Sequence, residues 1–501
     1  MGRRREYLTT DSVKALLAAR KPIRSGRVGV FSVGHYYYWP QFPGVREKLL
    51  EHTAYFIKQL EQQGKATIIA AEGLCDSSQR AFEVGNQFAR EQLDLLFCFV
   101  ATYTPSAHVL PVIQRAGVPV VLIALQASAA MDYTRATIAM QLENDNITSL
   151  PEIAGAMARA NQKPVDVVVG TLRDDDRAWE RIRAWCEVAT VWHELKNARI
   201  GLMGHVYEGM LDMNSDPTMA DAHLGMHVEH IEMDDLKARV DQVTEREAAD
   251  KLALIESVFD FPDPGADPVA TKATREDLIW PAQVACGMDR LVADFGLTGL
   301  AYYYRGLGGN DYERIHAAMI IGNSFLTSLG VPVAGELDLK NCIAMLIVDR
   351  FGAGGSFAEF HPVDFAEDFV LVGHDGPHHL LIADGKPALR KLSVYHGKRG
   401  SGPSVEYKLK VGPITMLGLT QTHEGKFKMV LAEGQSLPGL IPATGNTNTR
   451  GKFEPDVRTF LERWTMEGPT HHFALGVGHI ADKIALLARC LGIECVLTTP
   501  K

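Results

Sequence analysis

Nowhere in these 501 residues does a run of eighteen apolar side chains occur, so no helical membrane span is expected. Basic charge is not in excess either. The formal net charge is -10, and the basic footprint of a general nucleic-acid binder is missing. Cysteine is sparse: seven residues (Cys75, Cys98, Cys186, Cys286, Cys342, Cys490, Cys495) without a CxxC pair. An odd, dispersed count inside apolar runs excludes zinc-type spacing and predicts reduced, buried thiols in a cytoplasmic protein. In that setting the glycosylation pattern Asn146-Ile147-Thr148 is idle. The basic start Met1-Gly2-Arg3-Arg4-Arg5-Glu6 has no apolar stretch behind it, so a secretory signal is not expected. Glu6 stands where a myristoylation signal needs a small hydroxyl residue. Also absent are a G-x-S-x-G elbow, a Walker A loop, internal repeats and low-complexity tracts. Hydrolase, P-loop and solenoid readings therefore have no motif behind them.

What remains is ordinary soluble material, 46% apolar and 22% charged, with length for two to four domains. The first third alternates buried strands (Val28–Val33, Ala66–Ala71, Leu93–Val100, Val118–Leu125, Val165–Val169) with helical patterns such as Val45–Gln63 and Asp176–His193. That alternation predicts a parallel sheet covered on both faces, with ligands beyond the carboxyl strand ends. His35 and Tyr36–Tyr38 lie there. A second strand-led unit follows, with strands at Arg199–His205, His227–Met233 and Leu297–Tyr303 and helices over Met233–Phe259 and Trp280–Phe295. From about Asp338 the strands shorten, alternate and are split by Gly, Asp and Pro turns, among them a strand at His379–Ala383. This is an antiparallel pattern, closed by a predicted helix over Ala474–Leu491.

Chemistry-bearing residues concentrate in the last third. Glu336 follows Val331–Gly335 and precedes a predicted helix over Leu337–Val348; its bland reading is a first-turn acid favoured by the helix dipole. His374 sits at a strand end in Gly373-His374-Asp375-Gly376-Pro377-His378-His379, where His378 and His379 either line the same turn or are solvated. His471 and His472 are read as the lead-in to the last helix. Glu359 follows a glycine-rich turn, Gly354-Gly355-Ser356-Phe357, that lets backbone approach a ligand closely. Glu336, His374 and His472 form a hard-to-borderline metal set if a fold unites them. Arg305 and Arg350 are candidate anion binders or salt-bridged structural arginines. Lys386, Arg390, Lys391 and Lys398 make a basic, solvated loop. Tyr302–Tyr304 either pack against a sugar or belong to the core.

These residues carry a resemblance. Ala334-Gly335-Glu336, the Gly354–Phe357 run with Glu359, Asp368–His374, His471-His472-Phe473 and the tail Leu491–Val496 resemble, in order and spacing, the carboxy-terminal region of the L-arabinose isomerase family. Val30–Tyr36 is a weaker match to the family's first strand. The resemblance implies two doubly wound α/β domains, the first flavodoxin-like (1–196) and the second central (197–334), followed by a β-rich antiparallel domain (335–501). It implies a divalent ion of manganese type, held by two glutamates and two histidines. Glu336, His374 and His472 match three of these, and Arg305 stands where the family carries a glutamate. His35 and His471 then face the sugar, and Glu336 with Glu359 handles the proton of an aldose–ketose isomerisation. An arginine fork at Arg305 suits an acidic sugar. Also implied are a homo-oligomer (trimer or hexamer), and no nucleic-acid or membrane partner is expected. The rival readings are a sugar-acid epimerase, another metal-assisted sugar enzyme, or a sugar-binding homologue without turnover.

Overall fold

The computed structural model describes residues 16, 18–395 and 399–500. Gly2, Glu6 and Lys398, on which expectations rested, lie outside them. Two compact units are present: Ile23–Glu194, and Leu195–Lys501 together with the segment before Ile23.

The unit Ile23–Glu194 is built on five parallel strands, β1 (Gly26–Val33), β2 (Ala66–Cys75), β3 (Leu95–Val100), β4 (Val120–Gln126) and β5 (Asp166–Thr171), in the order 2-1-3-4-5. β3 is buried along its whole length and β4 all but at its end, as the apolar runs require. Helix Val45–Gln63 buries Val45, Leu49, Thr53, Phe56 and Leu60, a spacing of three to four that makes one apolar stripe. The order reverses between β1 and β3, and His35 follows the carboxyl end of β1 there.

The second unit opens with a parallel sheet of β6 (Arg199–Gly204), β7 (His227–Ile231), β9 (Gly299–Tyr303) and β10 (Val333–Ala334), ordered 10-9-6-7, while β8 (Ala270–Lys272) pairs elsewhere. Its partner is a small antiparallel sheet with β13 (Ala388–Leu392) and β14 (Gly402–Glu406). The remaining strands are β11 (Gly354–Asp364), β12 (Phe369–Asp375), β15 (Gly412–Gln421), β16 (Phe427–Leu437), β17 (Asn446–Lys452), β18 (Phe473–Val477) and β19 (Glu494–Leu497). β15 pairs with both β18 and β16, so six antiparallel strands close into a ring, 15-18-11-12-17-16, and β19 joins β16 in parallel. Closure leaves this ring no open edge. The expected architecture, two parallel α/β sheets and a β-rich antiparallel end, is present.

Several element readings are corrected. The stretch Met233–Phe259 is two helices, Met233–Asp241 and Glu245–Val258, because Thr244 and Glu247 form a capping box that starts the second. His379–Ala383 is a single 3-10 turn at Leu380–Ile382 instead of a strand. Ala474–Leu491 splits: Phe473–Val477 is strand β18, paired on both sides, and the helix begins only at Ala481. Gly476 and Gly478, the latter at φ +96°, disfavour helix there. The glycine-rich turn at Gly354 opens the long strand β11.

One helix positions the site. Leu339–Arg350 is buried at every residue but the last and packs against β9, β11, β15 and β18. A helix buried all round carries apolar residues on every face, as Cys342, Ile343, Leu346, Ile347 and Val348 do here. Among the described residues no helix is long and apolar enough to cross a membrane.

Candidate active site

Strand pairing and one strained turn gather the acids and imidazoles. β11 lies between β12 and β18, with Glu359 opposite Gly373 and Ala358 opposite Phe473. This register sets Glu359 beside His374 on one neighbour and His472 on the other. Glu336 arrives from the end of β10, where Glu336 and Leu337 both adopt left-handed backbone at φ 57° and 56°. Such a conformation is uncommon for a charged or branched side chain, and it stores strain where the chain turns into the buried helix. Asp338 then caps that helix, its Oδ1 accepting from the Asn341 N–H at 2.9 Å.

Two triads share His472. Glu359, His374 and His472 bring ligand-type atoms within 4.8 Å of one another, as do Glu336, His471 and His472. His472 Nε2 lies 3.7 Å from Glu336 Oε2, and His374 Nε2 lies 3.9 Å from Glu359 Oε1. Phe357 stands against both imidazoles, its ring centroid 4.6 Å from His374 and 4.3 Å from His472. The other ring nitrogens are tied back. His472 Nδ1 donates to Asp338 Oδ2 at 3.1 Å, and His374 Nδ1 donates to the Asp375 carbonyl at 2.8 Å. Each tether fixes a ring and leaves its Nε2 for a ligand.

The residues fit a divalent ion. Glu336 Oε2 and His472 Nε2 are buried without a hydrogen-bond partner, a costly state for polar atoms unless something binds them. The donor set is two carboxylates and two imidazoles, suited to a hard-to-borderline cation. Electrostatics agree. Burial opposes ionisation of Glu359, but a His361 hydrogen bond and the charges of His374 and His472 outweigh it and hold the carboxyl at about 2. Burial lowers His374. Burial also works against charge on His472, yet the Asp338 hydrogen bond and charge raise it.

The remaining expected site residues are placed as follows. His471 donates its backbone N–H and its Nδ1 to Asp212 Oδ2, at 2.9 and 2.7 Å. Arg305 sits beyond β9 with its guanidinium on Glu208 at 2.8 Å and does not line the cavity described below. Glu313 accepts from the Gly309 N–H, so its carboxylate is engaged in its own loop. Arg350 is a structural arginine bound to Asp349 and the Gly330 carbonyl. His378 and His379 are buried, not solvated: His378 Nε2 donates to the His374 carbonyl at 2.8 Å, and burial pushes its pKa down to about 3. His35 belongs to the unit Ile23–Glu194, where it stands edge-on to Tyr36, Tyr37 and Tyr38.

A cavity of about 70 Å³ opens beside the cluster, lined by Tyr207, Tyr303, His316, Glu336, Phe357 and His374 among others. By the same measure a water needs ~10–15 Å³, so the space takes on the order of five waters, the scale of a short polyol. Among the described residues no lysine or arginine lines it. Its walls are largely aromatic, and burial raises the Tyr303 phenol to about 12. The sequence reading singled out neither Asp338, Asp212, Tyr207 nor His361. Only Asp338 had a local signal, an aspartate three residues before Asn341 at a helix start.

A parallel α/β frame feeds one buried helix into a closed antiparallel ring and gathers two acids and two imidazoles that could hold a metal ion, with Glu336 and His374 lining a small aromatic-walled cavity. Over most of its length the chain is similar to members of the L-arabinose isomerase family. Residues 354–494 match the family model of the L-arabinose isomerase C-terminal domain. The L-arabinose isomerase of a Nocardioides species is 23% identical over 91% of this chain and 90% of its own length. L-arabinose isomerase 1 of Bacillus licheniformis is 22% identical over 88% of this chain and 86% of its own. That of a Shewanella species is 24% identical over 68% of each chain.

Proposed function

We propose that this protein is an aldose–ketose isomerase that holds a manganese-type divalent ion with Glu336, Glu359, His374 and His472. Support comes from one observation above all: two groups of three ligand-type side chains share His472, while Glu336 Oε2 and His472 Nε2 stay buried and unpartnered. When bound, such an ion supplies Lewis-acid stabilisation of the oxyanion that develops on the sugar's first two carbons. Glu336 is the proton carrier: it takes the proton from C2 of the aldose and returns it to C1, while the C2 hydroxyl proton passes to the carbonyl oxygen. Glu359, its carboxyl held at about 2, remains anionic and serves first to bind. Phe357 and Tyr207 exclude water from the cavity, and His471, held by Asp212, borders the cluster.

A neutral sugar suits a wall with no lysine or arginine among the described residues. An acidic sugar requires Arg305 to turn from Glu208. Seven dispersed cysteines, five of them buried, fit a reducing, cytoplasmic setting, and a homo-oligomer, trimer or hexamer, is proposed from the family resemblance. The test is turnover of neutral and acidic aldoses with Mn²⁺ in D₂O. Ketose carrying deuterium, lost in Glu336→Gln, is expected. An epimer without ketose, or metal binding without any turnover, overturns the assignment in favour of an epimerase or a binding homologue. Light scattering of the same sample reads the oligomer.

A further inference from the structure

Tyr302 and Tyr303 are consecutive on β9, yet their hydroxyls have different fates. The Tyr302 hydroxyl accepts from Asn323 Nδ2 at 3.4 Å. The Tyr303 hydroxyl is buried without a hydrogen-bond partner, in a residue only 3% exposed. Its ring is wedged between His205, Tyr207 and His316, with centroids 5.3, 4.8 and 5.5 Å away, so it cannot swing out to water. Both Tyr303 and Glu336 line the cavity, and the Glu336 charge acts on the phenol. Glu336 Oε2 is itself unpartnered, so the two orphaned atoms do not satisfy each other. Burying an unpaired hydroxyl is unfavourable, and a site that does so discriminates strongly for a ligand group that pairs with it. Closing the unit with a phenylalanine at this position would have kept the ring packing without that cost.

We propose that Tyr303 is a specificity-determining residue: its hydroxyl hydrogen-bonds one sugar hydroxyl outside the two carbons that exchange the proton. The inference rests on the sugar-isomerase reading. It adds what that reading lacks, a group that selects among polyols. The aromatic faces of Tyr207 and Phe357 tolerate any sugar of suitable width, and the acids and imidazoles act at the reacting end. Tyr303 distinguishes a hydroxyl from a hydrogen further along the chain.

The experiment compares wild type with Tyr303→Phe, which removes only an unpaired oxygen and is expected to fold. The probes are L-arabinose and its analogues lacking one hydroxyl, at carbon three, four or five, all with Mn²⁺. Wild type should favour L-arabinose over one of these analogues by about 10²-fold or more in kcat/KM, and Tyr303→Phe should erase that preference for that analogue alone. Equal losses on every substrate, or an unchanged preference, overturn the proposal. A second readout does not need turnover: thermal stabilisation by L-arabinitol in the presence of Mn²⁺, with Mn²⁺ alone as reference. Stabilisation by L-arabinitol in wild type but not in Tyr303→Phe, with equal Mn²⁺ stabilisation, supports the proposal even if no ketose forms and the isomerase reading fails. Equal stabilisation of both proteins overturns it, as does the absence of both turnover and stabilisation in wild type.

Discussion

Glu359 owes its place to one hydrogen-bonding imidazole and a strand register. His361, two residues along β11, reaches Glu359 Oε1 at 3.3 Å with Nε2 and Asn448 Oδ1 at 2.6 Å with Nδ1. Both ring nitrogens donate, so His361 is stabilised as a cation against its burial. A cation behind Glu359 keeps that acid ionised, as the proposed role of metal ligand requires. Glu359→Gln is therefore expected to abolish the rise in Tm that Mn²⁺ gives the wild type, about 2.7 kcal/mol at a hundredfold excess over Kd. Retention of that rise would remove Glu359 from the ligand set. Arg305 belongs to a different case. Its pair with Glu208 is half-exposed on one side and mostly exposed on the other, so Arg305→Ala should change stability by only ~0–1 kcal/mol. Turnover of neutral aldoses should persist in that variant, and a loss confined to acidic ones would assign Arg305 an anion. At this scale the sequence was legible for residue type and motif: Glu336, Glu359, His374 and His472 were all singled out. It was silent on the pairing of Asp338 and Asp212 with histidines 134 and 259 residues away: Asp338 is marked locally only as a helix cap, and Asp212 leaves no local trace.

The turn from Glu336 into the buried helix illustrates why boundaries escape a linear reading. Periodicity placed the helix start at Leu337, whereas the helix runs Leu339–Arg350. Two consecutive left-handed residues intervene, and neither is the glycine or asparagine that usually marks such backbone. Tertiary contacts hold them: Leu337 N–H donates to the Tyr302 carbonyl at 3.1 Å, and the Glu336 carbonyl accepts from the Tyr207 N–H at 3.2 Å. Asp338 then does two things at once, capping the helix with Oδ1 and orienting His472 with Oδ2. The two roles separate by substitution. Asparagine caps about as well as aspartate, so Asp338→Asn should retain helix stability to within a few tenths of a kcal/mol. The same change removes the charge that favours His472 Nδ1–H, and Mn²⁺ affinity should fall about 10–100-fold. Titration calorimetry and thermal melts on one sample read both numbers. A parallel loss of stability and affinity would mean that the cap, not the imidazole tether, dominates.

Whole-chain architecture was readable as classes of sheet but not as closure. Alternating strand and helix runs identify the two parallel sheets because buried parallel strands are apolar throughout, as Leu95–Val100 is. Ring closure depends on β15 pairing with both β16 and β18, and on β17, a polar stretch Asn446–Lys452 that no apolar pattern marks as a strand. A further long-range tie, from near the amino end, escapes periodicity altogether. Arg20 Nη2 donates to both carboxylate oxygens of Asp349, at 2.7 and 2.8 Å, in the same unit as Leu195–Lys501 although residues 23–194 separate them in sequence. Asp349 is 1% exposed and also meets Arg350 and, at 3.5 Å, His379 Nε2. Burial alone would raise its carboxyl, but His379, Arg350 and Arg20 prevail and hold it below the ordinary range. Removing the charge takes a buried ionic contact from Arg350, only 6% exposed, and from Arg20. Asp349→Asn should thus cost about 3–5 kcal/mol. The pH dependence follows from a folded-state pKa below the unfolded value of about 3.9. Asp349 contributes its full stability above that value and loses the contribution as pH falls through the depressed one. The Tm gap between wild type and Asp349→Asn should therefore stay constant from neutral pH to about 5 and close in stronger acid. Hydrogen exchange should place the lost protection in Leu195–Lys501 and spare Ile23–Glu194, because the tie lies wholly within the first of these units. A gap that persists undiminished at the lowest pH, or protection lost equally in both units, would show that the stability comes from packing around Asp349 instead of its charge.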